Sequence, residues 1–291
     1  MAQVEAAPAK INLFLHVGPV EADGYHPLCS LVAFADVGDT LTLDPDGSPG
    51  LTVTGPFSGT LTGETAAPGD NLVLRALSGL EATTGLQTSA LSLTLDKRLP
   101  VAAGLGGGSA DAGASLRLAA RYLAPDLDRA VLHDVAAGIG ADGPMCLAST
   151  PAWAEGRGEH LMPEPRLPTL HAVLVNPGVP SPTGAVYGAY DRLGVGRADR
   201  PAEPAGWDAE AVIGWLAEQR NDLEAPALLN TPAIGTALEA VRAEGQARLV
   251  RMSGSGATVF GLYADAAAAA RAAGALAKAC PAWWVRQARL G

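Results

Sequence analysis

The stretch Pro100-Val-Ala-Ala-Gly-Leu-Gly-Gly-Gly-Ser-Ala-Asp-Ala112 decides the fold of this chain. The alternating run before it, Ala90 to Asp96, predicts a β-strand, and the alanine-rich segment Ser109 to Leu123 predicts a helix. Glycine lets a backbone approach a ligand closely, and a helix N-terminus presents N–H groups to an anion. The strand, loop and helix therefore favour a polyphosphate site. Its expected contacts are Gly104, Gly106, Gly107, Gly108 and Ser109.

This loop differs from the commoner nucleotide-binding motifs. A Walker A loop ends in Gly-Lys-Ser/Thr, and the sequence contains no Gly-Lys pair. A dinucleotide fingerprint would need a glycine where Ser109 stands, and the protein-kinase signatures are absent. The structural alternative is a flexible surface turn. We favour phosphate binding, because three consecutive glycines destabilise the start of a helix unless the backbone is needed there.

Composition bounds the architecture. The 291 residues, 48% of them hydrophobic and 17% charged, are typical of a globular protein with room for two domains. Pro163, Pro165 and Pro168 interrupt regular structure, so we predict an N-terminal domain over 1–162 and a C-terminal domain over 163–291. Strand and helix patterns mix in both halves, which predicts an α+β fold.

Charge and cysteine usage bear on partners and location. A formal net charge of −10 disfavours nucleic acid as a partner. The three cysteines show neither metal-ligand spacing nor a pairing pattern, as expected in a reducing compartment. The apolar run Ile11 to Val17 is too short for a signal peptide, and no run reaches membrane-spanning length. We therefore expect a cytoplasmic protein with no membrane partner.

Two N-terminal segments carry polar groups in suggestive places. Lys10 and Asn12 share one face of a predicted strand, although a lone lysine there could simply point to solvent. Further on, the Asp23-Gly-Tyr-His-Pro27 turn would present Tyr25 and His26, whose rings can stack on a heterocycle or hydrogen-bond its edge. An ordinary surface loop explains the turn about as well.

Asp142 is the candidate general base. It is the one carboxylate within the small apolar segment Gly138 to Pro144, and a carboxylate there could accept the proton of a hydroxyl. The alternative is that Asp142 caps the next short segment. The same segment matches G-x-G-x-x-G, but it follows a helical pattern rather than a strand, so we do not interpret it as a dinucleotide site.

The residues alone do not decide the role of three other segments. The glycine-rich connection Met252 to Ala257 is either purely structural or closes on phosphates or on the substrate, with equal weight for the structural and functional interpretations. Asn71 and the run Asn221 to Glu224 each begin an apparent helix, with Asp70 as a candidate cap for the first helix. For these two segments capping is a sufficient explanation.

Taken in order, these motifs resemble the GHMP family of small-molecule kinases. No single motif is specific, but the ordered set is, and it runs from the N-terminus to about residue 260. The resemblance implies an N-terminal domain like the second domain of ribosomal protein S5 and a ferredoxin-like C-terminal domain. It also implies ATP-dependent phosphorylation of an alcohol with Mg²⁺, by a monomer or homodimer. The matching segments are Pro8 to Leu13, Asp23 to His26, Pro100 to Ala110, Gly140 to Asp142, Asn221 to Glu224 and Ser253 to Ala257.

The resemblance also implies roles for individual residues. Asp142 would be the catalytic base and Lys10 its charged partner, with Asn12 positioning the substrate hydroxyl. Tyr25 and His26 match a cytosine-recognising pair, which implies a small-molecule substrate linked to cytidine diphosphate. The residues that would complete the substrate and ATP sites, none of them a metal ligand, are Thr183 and Tyr187 for the substrate, Asn71 and Leu72 for adenine, and Lys97, Pro100, Gly104, Gly106, Gly107, Gly108 and Ser109 for the phosphates.

Competing interpretations remain. A GHMP kinase of the homoserine or mevalonate type would explain the loop, but its substrate has no base for Tyr25 and His26 to recognise. A non-catalytic nucleotide-binding protein on the same fold would have no need for both Lys10 and Asp142. An oxidoreductase rests only on the glycines from 138 to 143.

Overall fold

The computed structural model describes residues 1–59, 71–194 and 196–291 and confirms the predicted mixture of strands and helices. The chain forms two compact units, each assembled from separate segments. The domain boundary at 162/163 stays a prediction. The first unit contains Met1–Ala9, Gly38–Val101 and Gly106–Ser149, and the second contains Lys10–Val37, Ala102–Leu105 and Thr150–Gly291.

Two long N-terminal strands contribute residues to both units. Strand β1 spans Gln3–Val17 and pairs with β2, which spans Leu28–Leu43. The sequence pattern predicts strands over 4–17 and 28–43, and both observed strands match these bounds to within one residue. Their side chains are buried from Ala9 to Val17 and from Cys29 to Ala35, and in β1 the apolar Ile11, Leu13 and Leu15 alternate with residues of the other face, which include the polar Lys10, Asn12 and His16.

The first unit contains a small sheet. Strand β3 (Gly50–Thr54) runs parallel to β4 (Ser92–Asp96), and β4 is antiparallel to the end of β2. In β4, Leu93 and Leu95 are buried while Thr94 between them is exposed, which is the expected alternation. The strand begins two residues later than predicted, because residues 88–90 form a 3₁₀ turn.

Within the described residues of the first unit, four helices accompany this sheet. Asn71 caps the first of them with its side chain, whereas the alternative cap Asp70 lies outside the described residues. The second helix begins two residues before the predicted start, inside the glycine run itself. The sequence analysis did not predict the fourth, a six-residue helix that begins with Gly143 and Pro144. The helices are α1 Leu72–Thr84, α2 Gly107–Leu123, α3 Arg129–Ile139 and α4 Gly143–Ala148.

The second unit is built on an antiparallel sheet. Strands β10, β7, β9 and β8 lie side by side in that order, and β10 meets the first half of β2 at Leu290 and Ala35. Strand β5 pairs with β2 and with β6, a strand that the sequence analysis did not predict. The strands are β5 Ala152–Gly156, β6 His160–Pro163, β7 Leu170–Asn176, β8 Leu249–Met252, β9 Val259–Tyr263 and β10 Trp284–Leu290.

Helices cover this second sheet and bury its apolar core. Val173 and Val175 of β7, Val259 of β9 and Leu276 of the last helix belong to one buried cluster, which supplies the main hydrophobic stabilisation of the unit. In the part of the chain that the structure describes, no helix is long and apolar enough to cross a membrane. The helices are α5 Thr183–Leu193, α6 Ala209–Ala217, α7 Glu224–Asn230, α8 Ala233–Ala243 and α9 Ala266–Ala279.

Candidate active site

In the first unit, the glycine loop leads directly into α2. Gly106 adopts φ of 60°, a left-handed conformation that glycine tolerates, and its carbonyl accepts from the N–H of Ala110. A Cβ added to Gly107 would lie 3.2 Å from the Lys97 Nζ, and one added to Gly108 would lie 3.2 Å from the Leu72 Cδ1. The first N–H groups of a helix have no intrahelical partner. The loop therefore fits a close approach by a phosphate chain.

Lys97 lies beneath this loop in a buried cluster of charges. Its Nζ is 2.6 Å from Asp39 Oδ2 and 2.6 Å from Asp111 Oδ2. The other oxygen of Asp39 accepts from the backbone N–H groups of Arg98 and Leu99. The lysine side chain, only 3% exposed, therefore ties the ends of β2 and β4 to α2. Contact between Lys97 and an ATP phosphate stays a prediction.

Burial and charge shift the pKa values within this cluster. Burial raises the pKa of Asp111 to about 8, against the attraction of Lys97 and with the added repulsion of Asp39. Burial works to lower the pKa of the Lys97 ammonium, but the two aspartates outweigh it and raise the pKa. One oxygen of Asp111, Oδ1, is buried with no hydrogen-bond partner, so the cluster leaves this carboxyl group incompletely satisfied.

Asp142 stands at the N-cap position of α4, but its side chain makes no capping hydrogen bond. This geometry weighs against the capping interpretation. Gly143 is required beside it, because a Cβ there would lie 1.9 Å from the Ala136 carbonyl oxygen. The segment follows helix α3, as the sequence analysis expected when it set the dinucleotide motif aside. The role of Asp142 as base stays a prediction.

The remaining predicted ATP contacts lie at the ends of helices or beside the loop. Asn71 uses its Oδ1 to accept from the Val73 N–H at 2.9 Å, so its cap role is confirmed and its adenine role stays a prediction. Leu72 opens α1 next to Gly108. Pro100 is buried ahead of the loop, and Ser109 is half-buried in the first turn of α2.

In the second unit, Lys10 and Asn12 lie on one face of β1, as the strand periodicity predicts. Lys10 Nζ donates to Asn12 Oδ1 at 3.0 Å, and Asn12 Nδ2 donates to Ser30 Oγ at 2.8 Å. Ser30 in turn donates to the Phe14 carbonyl at 2.6 Å. Because Ser30 can accept only from the amide NH₂, it fixes the orientation of Asn12 and aims the amide oxygen at the lysine.

The connection between β8 and β9 closes on the start of the glycine loop. Ser253 Oγ accepts from the Asn12 backbone N–H at 3.2 Å and donates to the Gly104 carbonyl at 2.9 Å. Gly104 adopts φ of 71°, and a Cβ on it would lie 2.3 Å from the Ser253 carbonyl oxygen. The segment therefore packs against the start of the loop, and its closure on phosphates or on the substrate stays a prediction.

Asn221 does more than begin a helix. Its Nδ2 donates to the carbonyls of Met252 and Gly254 at 2.8 and 2.9 Å, while its Oδ1 accepts from the Leu223 N–H. The neighbouring Glu224 accepts from the Met252 N–H at 2.9 Å. The run from 221 to 224 therefore holds the β8–β9 connection in place, and capping alone does not describe it.

The predicted substrate-binding aromatics come together in part. The His26 and Tyr187 rings have centroids 4.8 Å apart, and His26 Nε2 lies 2.8 Å from Asp191 Oδ1. Tyr25 is exposed, and the Arg157 guanidinium lies 4.3 Å from its ring centroid. Thr183, at the start of α5, shares a hydrogen bond of 2.9 Å with Ser255. Stacking of a base on Tyr25 and Tyr187 stays a prediction.

The sequence analysis missed the residues that hold these groups in place: Asp39, Asp111, Ser30 and Asp191. Two of them left a signal. Asp111 is a carboxylate in an otherwise apolar helix turn, and Asp191 is four residues after Tyr187, so both lie on one helix face. Ser30 and Asp39 left none, because their partners are distant in sequence. Among the described residues, no three His, Cys, Asp or Glu side chains are grouped as a metal site.

Lys10 and Asp142 belong to different units of the chain, and their pairing stays a prediction. Comparison with known proteins gives the family. The family described as "GHMP kinases N terminal domain" matches residues 71–150, and "GHMP kinases C terminal" matches residues 209–282. This chain belongs to the GHMP kinase family.

Relatives of this GHMP kinase match it over nearly its whole length. The 4-diphosphocytidyl-2-C-methyl-D-erythritol kinase of Caulobacter sp. (strain K31) is 51% identical over 98% of this chain and 97% of its own length. The enzyme of that name from Methylobacterium radiotolerans is 53% identical over 97% of this chain and 96% of its own length.

Solved structures agree. A crystal structure of 4-(cytidine 5'-diphospho)-2C-methyl-D-erythritol kinase has a TM-score of 0.79 and 36% identity, covering 99% of both chains. The crystal structure of L. major mevalonate kinase in complex with R-mevalonate has a TM-score of 0.65 at 15% identity. The match covers 99% of this chain and 95% of that chain. The latter likeness shows the fold alone. The predicted two-domain GHMP kinase fold is confirmed.

Proposed function

We propose that this GHMP kinase transfers the γ-phosphoryl group of ATP to the 2-hydroxyl of 4-diphosphocytidyl-2-C-methyl-D-erythritol, giving the 2-phosphate and ADP. The reaction belongs to the non-mevalonate route to isoprenoid precursors. The proposal is carried by 51% identity over 98% of the chain to a relative bearing that name. The Tyr25–His26 turn beside Tyr187 supports a substrate with a base, which homoserine and mevalonate lack.

The substrate hydroxyl is positioned by the Lys10, Asn12 and Ser30 chain. The hydrogen bond from Lys10 Nζ to Asn12 Oδ1 holds the ammonium on one face of β1. Asp142, whose carboxylate is not used in capping α4, accepts the proton of the hydroxyl as the phosphoryl group arrives. A positive charge from Lys10 offsets negative charge that develops during transfer.

The ATP phosphates bind at the glycine loop. Backbone N–H groups at the start of α2 face the anion, and glycine at 107 and 108 avoids crowding the side chains of Lys97 and Leu72 beneath the loop. Gly106 to Ser109 are the residues that would hold the phosphates together with Mg²⁺. A bound Mg²⁺ would supply positive charge that neutralises part of the phosphate charge during phosphoryl transfer.

A coupled ADP-release assay tests the proposal. Mg·ATP is supplied with 4-diphosphocytidyl-2-C-methyl-D-erythritol, homoserine or mevalonate in parallel. We expect ADP only with the cytidine compound. ADP with another alcohol would keep the kinase mechanism and refute the substrate. ADP with none of them, despite measurable ATP binding, would leave a non-catalytic nucleotide-binding protein.

Two finer points belong to the same proposal. The cysteine pattern favours the cytoplasm as the place of action. The enzyme acts as a monomer or homodimer, which light scattering of the purified chain measures directly. A larger assembly would contradict this part of the proposal and leave the reaction untouched.

A further inference from the structure

One face of helix α5 packs against the imidazole ring of His26. Tyr187, Tyr190 and Asp191 stand at positions i, i+3 and i+4, which lie together on a helix surface. The ring centroids of Tyr187 and Tyr190 are 4.8 and 5.6 Å from that of His26. These contacts, with Asp191 beyond them, leave the histidine side chain only 8% exposed. The imidazole is therefore held in one orientation.

The third contact decides where the ring carries its proton. His26 Nε2 lies 2.8 Å from Asp191 Oδ1, and an ionised carboxylate can only accept a hydrogen bond. Nε2 must then be the donor. In the neutral ring this leaves Nδ1 without a proton, so Nδ1 becomes the acceptor that His26 offers to a ligand.

We propose that Asp191 is a positioning residue that sets base specificity: by holding the His26 proton on Nε2, it keeps Nδ1 as an acceptor for an amino group on the substrate's base. This inference rests on the proposed function. The 4-amino group of cytosine can donate to such an acceptor. The 4-oxo group of uracil would place two lone pairs against each other, and an unmatched polar contact is a strong source of discrimination.

Substrate selectivity tests the inference. The ratio of kcat/KM for the cytidine-linked substrate to that for its uridine-linked analogue is measured in the wild type, Asp191→Ala and Asp191→Asn. We expect Asp191→Ala to lower this ratio about tenfold, equivalent to about 1.4 kcal/mol, through the KM for the cytidine compound. In Asp191→Ala, the KM for ATP and the kcat at saturating substrate should be the same as in the wild type. Asp191→Asn can hydrogen-bond either tautomer of the His26 ring, because its side chain has both a donor and an acceptor. Its selectivity ratio should therefore lie between those of the wild type and Asp191→Ala.

The matched control is Arg192→Ala, an exposed neighbour on the same helix. It should leave the selectivity ratio unchanged. An unchanged ratio in Asp191→Ala would overturn the inference. A wild type that phosphorylates neither nucleotide-linked compound would instead refute the proposed function, so the two failures are distinguishable.

Nitrogen-15 NMR of the His26 ring provides a readout that needs no turnover. In the wild type, at about pH 8 where histidine is generally neutral, we expect the proton on Nε2. In Asp191→Ala we expect a mixture of the two tautomers. A wild-type proton on Nδ1 would overturn the inference by itself, even if the alanine variant failed to fold.

Discussion

Among single residues, Ser30 controls the position of Lys10 without touching it. Its hydroxyl is fully buried and accepts from the Asn12 amide. We expect Ser30→Ala to reduce stability by about 1–3 kcal/mol, because a buried donor loses its partner. We also expect kcat to fall roughly tenfold, about 1.4 kcal/mol, since Asn12 can then rotate away from Lys10. Steady-state kinetics and chemical denaturation measure the two effects.

The control for this prediction is Ser115→Ala. Ser115 is as buried as Ser30, but its hydroxyl bonds only to the Ala112 carbonyl within α2. It should reduce stability and leave kcat alone. If Ser30→Ala also left kcat alone, Ser30 would be a structural residue only.

Asp142→Asn tests the base directly. The substitution keeps the side-chain shape and removes the proton acceptor, so we expect turnover to fall by roughly 10²–10⁴, the usual contribution of a general base. ATP binding, measured by calorimetry, should be nearly unchanged. Substantial residual turnover would refute the assignment. Asp128→Asn, at a cap that asparagine can also fill, serves as control.

At the start of the glycine loop, the close approach of the Gly104 backbone to the Ser253 carbonyl depends on the absence of a side chain at Gly104. We expect Gly104→Ala to destabilise the fold by roughly 2–4 kcal/mol, because the added Cβ needs a left-handed backbone and collides with a carbonyl. Thermal unfolding measures the loss. Gly214→Ala in α6 is the control: a Cβ there meets nothing within 4 Å, and the change should be neutral or stabilising. Equal effects of both would contradict the proposed closure.

The cluster that joins β2, β4 and α2 predicts a pH dependence. The folded pKa of Asp111, about 8, lies above the unfolded value of roughly 3.9. Stability from its protonation is therefore complete below the unfolded pKa and is lost as pH rises toward the folded one. Asp111→Asn cannot titrate. Between about pH 5 and 8 we expect the free energy of unfolding of the wild type to fall by at least about 1 kcal/mol relative to that of the variant.

Denaturant unfolding at several pH values measures this difference. Asp126→Asn, in an exposed loop, is the matched control and should follow the wild type at every pH. If the free energies of unfolding of the wild type and Asp111→Asn differed by the same amount at every pH tested, Asp111 would be ionised in the folded protein at all of them, and the prediction would be wrong.

For the whole molecule, the course of β1 and β2 predicts cooperative unfolding. Each strand contributes residues to both units, so neither unit can lose its strands without affecting the other. We expect one calorimetric transition. A non-hydrolysable ATP analogue with Mg²⁺, at about 100 times its dissociation constant, should stabilise the protein by about 2.7 kcal/mol. Two transitions, with only one moved by the analogue, would contradict the prediction.

The sequence by itself determined the elements and the local motifs. The alternation in β1, β2 and β4 and the glycine run before α2 depend on neighbouring residues, so they could be predicted with small errors at the ends. Two of the missed elements, α4 and β6, are short, and short elements carry little periodic signal. The side-by-side placement of Lys10 and Asn12 followed from strand geometry for the same reason.

Only the tertiary structure decided what each of these residues contacts. The sequence predicts a phosphate contact for Lys97, which stays a prediction, and only the structure shows that its ammonium lies between Asp39 and Asp111. Ser30, which fixes Asn12, and Asp191, which holds His26, are supplied by segments 18 and 165 residues away from their partners. Such pairs form because folding buries polar groups that must find partners, and a partner distant along the chain leaves no local pattern.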